Sequence, residues 1–114
     1  MNSLVKSLIF PLLESEQKGV ALIPGGFKPP TIGHFVLVDE VAQNPNFDKV
    51  IVLIGHKIRD GVTKEESLAV WDIYKKYLSP KVSVEPSVAP VKSVLGYAKE
   101  NPDTKVYWVL GARD

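Results

Sequence analysis

Apolar residues in this chain fall into short unbroken runs and longer stretches with helical spacing. Val20-Ala21-Leu22-Ile23, Val50-Ile51-Val52-Leu53-Ile54 and Val106-Tyr107-Trp108-Val109-Leu110 are unbroken, as expected of parallel strands covered on both faces. Val82 and Val84 predict a further short strand ended by Pro86. Between these runs, Phe35 to Gln43 reads as a buried helix that stops around Asn44-Pro45. Val70, Ile73, Tyr74 and Tyr77 fall on one helical stripe with Trp71 beside it, and Val91, Val94, Leu95 and Ala98 mark a third helix. Pro90 suits the first turn of that third helix, and Asn101-Pro102 closes it.

The helix starts are also legible. Thr31 is a good N-cap and puts His34 near the third helical position. Thr63 and Glu66 have the spacing of a capping box. The resulting order, β-α-β-α-β-α-β, predicts an α/β domain: a Rossmann-like open parallel sheet with helices on both faces. The expected strand order is 3-2-1-4, with ligands at the carboxyl ends of the strands around the switch point. Strands one and four are then neighbours, and their ends bring the Gly25–His34 loop and the Gly111–Asp114 tail to one crevice.

The first 18 residues stand apart. Leu4, Val5, Leu8, Ile9 and Leu12 recur at helical spacing, with Pro11 breaking or kinking the helix, so residues 1–18 are expected to form an N-terminal helical appendage and 19–114 the α/β domain. The segment lacks the long apolar core and small-residue cleavage site of a signal peptide, and no run reaches the length of a membrane span. The chain has 114 residues, enough for one domain. Its net charge of +1 gives no reason to expect a nucleic acid or a membrane as partner. It has no cysteine, hence no disulfide, thiolate nucleophile or Cys-based zinc site, which fits a cytoplasmic protein.

The candidate chemistry lies in Pro24-Gly25-Gly26-Phe27-Lys28-Pro29-Pro30-Thr31-Ile32-Gly33-His34. Here a strand passes through a glycine-rich loop into a helix whose start offers free N–H groups to an anion. Gly25 and Gly26 let backbone approach phosphate; Lys28 supplies a mobile positive charge, and Thr31 and His34 supply donors. The dinucleotide and P-loop patterns are absent. After the second strand, His56 and Lys57 are either phosphate-directed or merely solvated. Arg59, just before the Asp60-Gly61 turn, is the stronger candidate.

Gly25, Phe27, Pro29, Thr31, Gly33 and His34 fill every fixed position of a motif, and on them the chain resembles the nucleotidylyltransferase superfamily with its T/HxGH signature. Thr31 resembles the variant seen in phosphopantetheine adenylyltransferases, and the whole Gly26–His34 run is similar to cytidylyltransferase-like proteins of bacteriophages. The resemblance implies transfer of AMP or CMP from ATP or CTP to a small phosphate-bearing acceptor, with Mg²⁺ and release of pyrophosphate. It implies catalytic roles for His34, Thr31 and Lys28, and nucleotide binding by Gly25, Gly26, Phe27, Gly33 and His34. Lys57 and Arg59 would meet the acceptor or the triphosphate.

Gly111, Arg113 and Asp114 resemble the family's Gly-x-Asp near the base and ribose, at a spacing one residue longer. The resemblance covers about residues 19 to 114 and lacks the family's second signature, a Ser/Thr-rich stretch with Arg that binds the β- and γ-phosphates. The domain is therefore expected to lack its C-terminal part, and weak or no catalysis is expected of these 114 residues alone. Two further readings stay open: a non-catalytic nucleotide-binding or structural module, and homo-oligomerisation through the N-terminal segment and a bare sheet edge.

Overall fold

The unbroken apolar runs are buried because they lie between two helical layers. A computed structural model of the chain describes residues 7–11 and 19–111. They form β1 (Ser7–Pro11), β2 (Gly19–Gly25), α1 (Ile32–Ala42), β3 (Phe47–Gly55), α2 (Lys64–Tyr74), β4 (Val82–Ser87), α3 (Pro90–Glu100) and β5 (Lys105–Gly111), with a single 3-10 turn, Lys75–Tyr77, after α2. The sheet order is β1-β5-β2-β3-β4. β5, β2, β3 and β4 are mutually parallel, in the order expected from the sequence.

Side-chain alternation divides the core in two. Ala21 and Ile23 of β2 and Val50, Val52 and Ile54 of β3 pack with Leu37, Val38 and Val41 of α1 and Trp71 of α2. Val20 and Leu22, with Ile51 and Leu53, pack with Val94 of α3 on the opposite face. The sheet is thus covered on both sides, which is why β2 and β3 show no polar alternation. β4 runs through Pro86 to Ser87, further than the sequence indicated. As an edge strand it tolerates a residue without an N–H.

Two expectations are corrected. Ser7–Pro11, placed in a helical appendage by its apolar spacing, is a strand paired antiparallel with β5, from Ser7↔Gly111 to Pro11↔Tyr107. Ile9 and Phe10 suit a strand, Pro11 is tolerated at its end, and the unpaired side of β5 supplies a ladder that an isolated short helix lacks. The rest of the expected appendage, residues 1–6 and 12–18, lies outside the described residues. On α2 the inward stripe is Ser67, Trp71 and Tyr74, with Leu68 packed beside it, whereas Ile73 and Tyr77 are 55% and 73% exposed. No helix among the described residues is long and apolar enough to cross a membrane.

Ile23 is 1% exposed at the centre of the larger cluster. Ile23→Ala should therefore lower unfolding free energy by about 2–5 kcal/mol, read from urea denaturation.

Candidate functional site

The loop from β2 to α1 is shaped by a reciprocal cap. The Thr31 backbone N–H donates to His34 Nδ1 at 2.9 Å, and the His34 N–H donates to Thr31 Oγ1 at 3.4 Å. His34 thus takes the place that Glu or Gln holds in the usual capping box. Because Nδ1 accepts that bond, the ring's N–H is assigned to Nε2.

Phe27 supports the loop from below. It is a non-glycine residue at φ 51°, with its ring 9% exposed, edge-on to His34 at 4.9 Å and to Trp71 at 5.4 Å. A Cβ on Gly25 would meet that ring at 2.7 Å, so the close approach of backbone to ring requires glycine there. Gly33 differs. A Cβ there would make only ordinary contact with Thr31 Oγ1 at 3.5 Å, so the protein itself leaves room above the start of α1.

Helix α2 fastens the loop from one side. Ser67 Oγ donates to Phe27 O at 2.7 Å, and Tyr74 Oη donates to Pro30 O at 3.2 Å. Hydropathy does not reveal Ser67, which is fully buried. A small polar residue four positions before a buried Trp was its only trace in the sequence.

The loop after β3 forms a second wall. Asp60 and Gly61 have φ of 51° and 76°, and Arg59 and Val62 exchange both backbone bonds across them. This is a two-residue hairpin of the kind an Asp-Gly pair favours, and it fixes the backbone of Arg59. The Arg59 side chain passes 3.9 Å from where a Gly26 Cβ would stand. Lys28 is not the mobile charge expected from the sequence. Its side chain is 8% exposed, and Nζ donates to Gly26 O at 3.0 Å and Gly55 O at 2.7 Å, tying the end of β2 to the end of β3.

These walls enclose a cavity of about 330 Å³ at the carboxyl edge of the sheet. Pro24, Gly25, Gly26 and Lys28 line it from the first loop, Gly55, Lys57 and Arg59 from the second, Pro90 and Val91 from the start of α3, and Trp108 and Leu110 from β5. The structure therefore brings Gly25, Gly26, Lys28, Lys57 and Arg59 together. Thr31, Gly33 and His34 stand at the start of α1 and do not line the cavity; the Phe27 ring, in contact with both His34 and Gly25, links the two groups. His56 is exposed and also outside the lining. Gly111 ends β5, and Arg113 and Asp114 lie outside the described residues.

No protein-family model matches the chain, and no curated protein matches it.

Three cations, Lys28, Lys57 and Arg59, line one cavity, and among the described residues none of them forms a salt bridge with a carboxylate; the ion pair there is Lys64 with Glu65. No three His, Asp or Glu side chains gather to hold a metal among the described residues. A donor set of lysines and arginine suits phosphate oxygens and supplies no metal ligand, so any Mg²⁺ here would have to be carried by the ligand's own oxygens. Burial, and then the nearby Arg59 guanidinium, lower the pKa of Lys28 below its ordinary value of 10.5.

Two outcomes follow. Ser67→Ala leaves the buried Phe27 carbonyl unpaired and should cost about 1–3 kcal/mol in denaturant unfolding. Between the lowered and ordinary pKa of Lys28, the folded chain binds fewer protons than the unfolded chain. The penalty on its charged form is full below that window and vanishes above it, so this contribution to stability rises with pH. Lys28→Met should remove that rise, as measured by urea unfolding of both proteins between neutral pH and about pH 10.5.

Proposed function

We propose that this domain is a nucleotidyltransferase that moves AMP or CMP from an NTP to a phosphate-bearing acceptor. The observation that carries this reading is the cluster of Lys28, Lys57 and Arg59, which has no salt bridge among the described residues, set beside a capped helix start at the carboxyl edge of a parallel sheet. An oxygen of the acceptor phosphate attacks the α-phosphorus. The bond from that phosphorus to the bridging oxygen of the β-phosphate breaks, and pyrophosphate leaves with the electron pair. No covalent intermediate on the protein is required, so its work is positioning and charge stabilisation.

In this reading the nucleotide phosphates lie over the start of α1, where Gly33 leaves room and His34 Nε2–H and the first-turn backbone N–H groups donate. Gly25 and Gly26 form the ridge between the nucleotide and the cavity. Arg59 and Lys57 hold the acceptor phosphate, and Lys28 contributes its fixed charge to both sides. Mg²⁺, if carried by the triphosphate, would offset charge on the leaving pyrophosphate.

A second reading, a nucleotide-binding module without turnover, draws on a separate observation. Lys28 Nζ and His34 Nδ1 are both engaged in bonds within the protein, an arrangement suited to holding an anion. A pyrophosphate-release assay separates the two readings, since turnover above background refutes the module.

Calorimetric titration with Mg-ATP and Mg-CTP should give saturable binding to one or both, and no heat from either would sink the transferase reading. His34→Glu keeps an acceptor for the Thr31 N–H, as in the usual capping box, but has no N–H to donate to phosphate. It should weaken nucleotide affinity roughly tenfold, equivalent to about 1.4 kcal/mol, with little change in melting temperature.

A further inference from the structure

Apart from the three cations and the glycines, the described lining of the cavity is built almost wholly of carbon. Pro24, Pro90, Val91, Trp108 and Leu110 form it, and among the described residues the lining contains no Ser, Thr, Asn, Gln, Asp or Glu. The Trp108 Nε1 is buried with no hydrogen-bond partner, so the part of the indole that reaches the cavity is carbon. Gly26 O and Gly55 O already accept from Lys28. A ligand hydroxyl held against this apolar surface would lose water on that side and, among the described residues, find no side-chain partner apart from the cations that hold the phosphate. That loss disfavours polyhydroxylated ligands strongly, because an unpaired polar group costs far more than a lost apolar contact.

We propose that the acceptor bound in this cavity is a phosphate ester with a small aromatic or aliphatic body, and that sugar and polyol phosphates are rejected. The proposal rests on the transferase reading for the word acceptor, and on the cavity lining for the chemical class. The phosphate sits among Lys28, Lys57 and Arg59, and the body lies against Trp108 and Val91. A volume of about 330 Å³ is at the small end for a ligand site, so the body is compact. Val91 is 49% exposed at the start of α3, so it tunes this preference without supporting the core.

The test is calorimetry on the full chain with phenyl phosphate and glycerol 3-phosphate, with Mg-ATP and Mg-CTP titrated in parallel. Phenyl phosphate should bind at least about tenfold more tightly than glycerol 3-phosphate, from apolar burial alone. Val91→Asn should bring that ratio toward one, and Arg59→Ala should weaken both ligands. Equal affinities, or tighter binding of glycerol 3-phosphate, while nucleotide still binds would overturn the acceptor class and leave the transferase reading standing. Preference for phenyl phosphate with no nucleotide binding would overturn the acceptor role together with that reading.

Discussion

The Phe27 ring is the wedge on which the site depends. It fills the space beneath the loop between Trp71 and His34, and its closeness to Gly25 forbids any larger residue there. Its backbone is held in a conformation rare for a bulky residue, which persists only where surrounding contacts fix it. Ser67 supplies one such contact, on the Phe27 carbonyl. The loop's shape therefore owes as much to α2 as to its own glycines and prolines. Both halves of the site touch the same ring, so their relative position is set by packing, which deforms little.

Lys28 settles the other dimension. By donating to carbonyls at the ends of both β2 and β3, it fixes how far apart the two walls of the cavity stand. An ammonium spent in this way is buried near Arg59 with no carboxylate paired to it among the described residues, and folding tolerates the cost because two carbonyls partly replace its water. An anion arriving between Lys28, Lys57 and Arg59 finds the Lys28 ammonium already fixed and largely buried, with the exposed Lys57 and Arg59 beside it. Pre-placed charge of this kind favours phosphate binding without requiring the protein to move.

Much of this was legible in the residues. Unbroken apolar runs gave the parallel strands, and Thr31 and Thr63 gave two helix starts that prove to be reciprocal caps. The strand order followed from the alternation of elements and the handedness of crossovers. What was not legible depends on tertiary partners. Ser67 is buried because a carbonyl 40 residues away accepts its proton, and no hydropathy pattern encodes that. Lys28 is pinned by Gly55, far along the chain, so its side chain read as mobile. Residues 7–11 carry both helical spacing and strand-suited residues, and only the open side of β5 decides between them.

That pairing has a consequence in time. Ser7 lies opposite Gly111, so the segment that closes the sheet is made about a hundred residues before its partner. At an elongation rate of about 5–20 residues per second, Leu8-Ile9-Phe10 waits about 5–20 seconds for the strand beside it. During that interval the nascent chain carries an apolar sequence with no ladder to join. Among the described strands the first made can join the sheet only after β5 has been made, and the apolar segment is open to other partners until then.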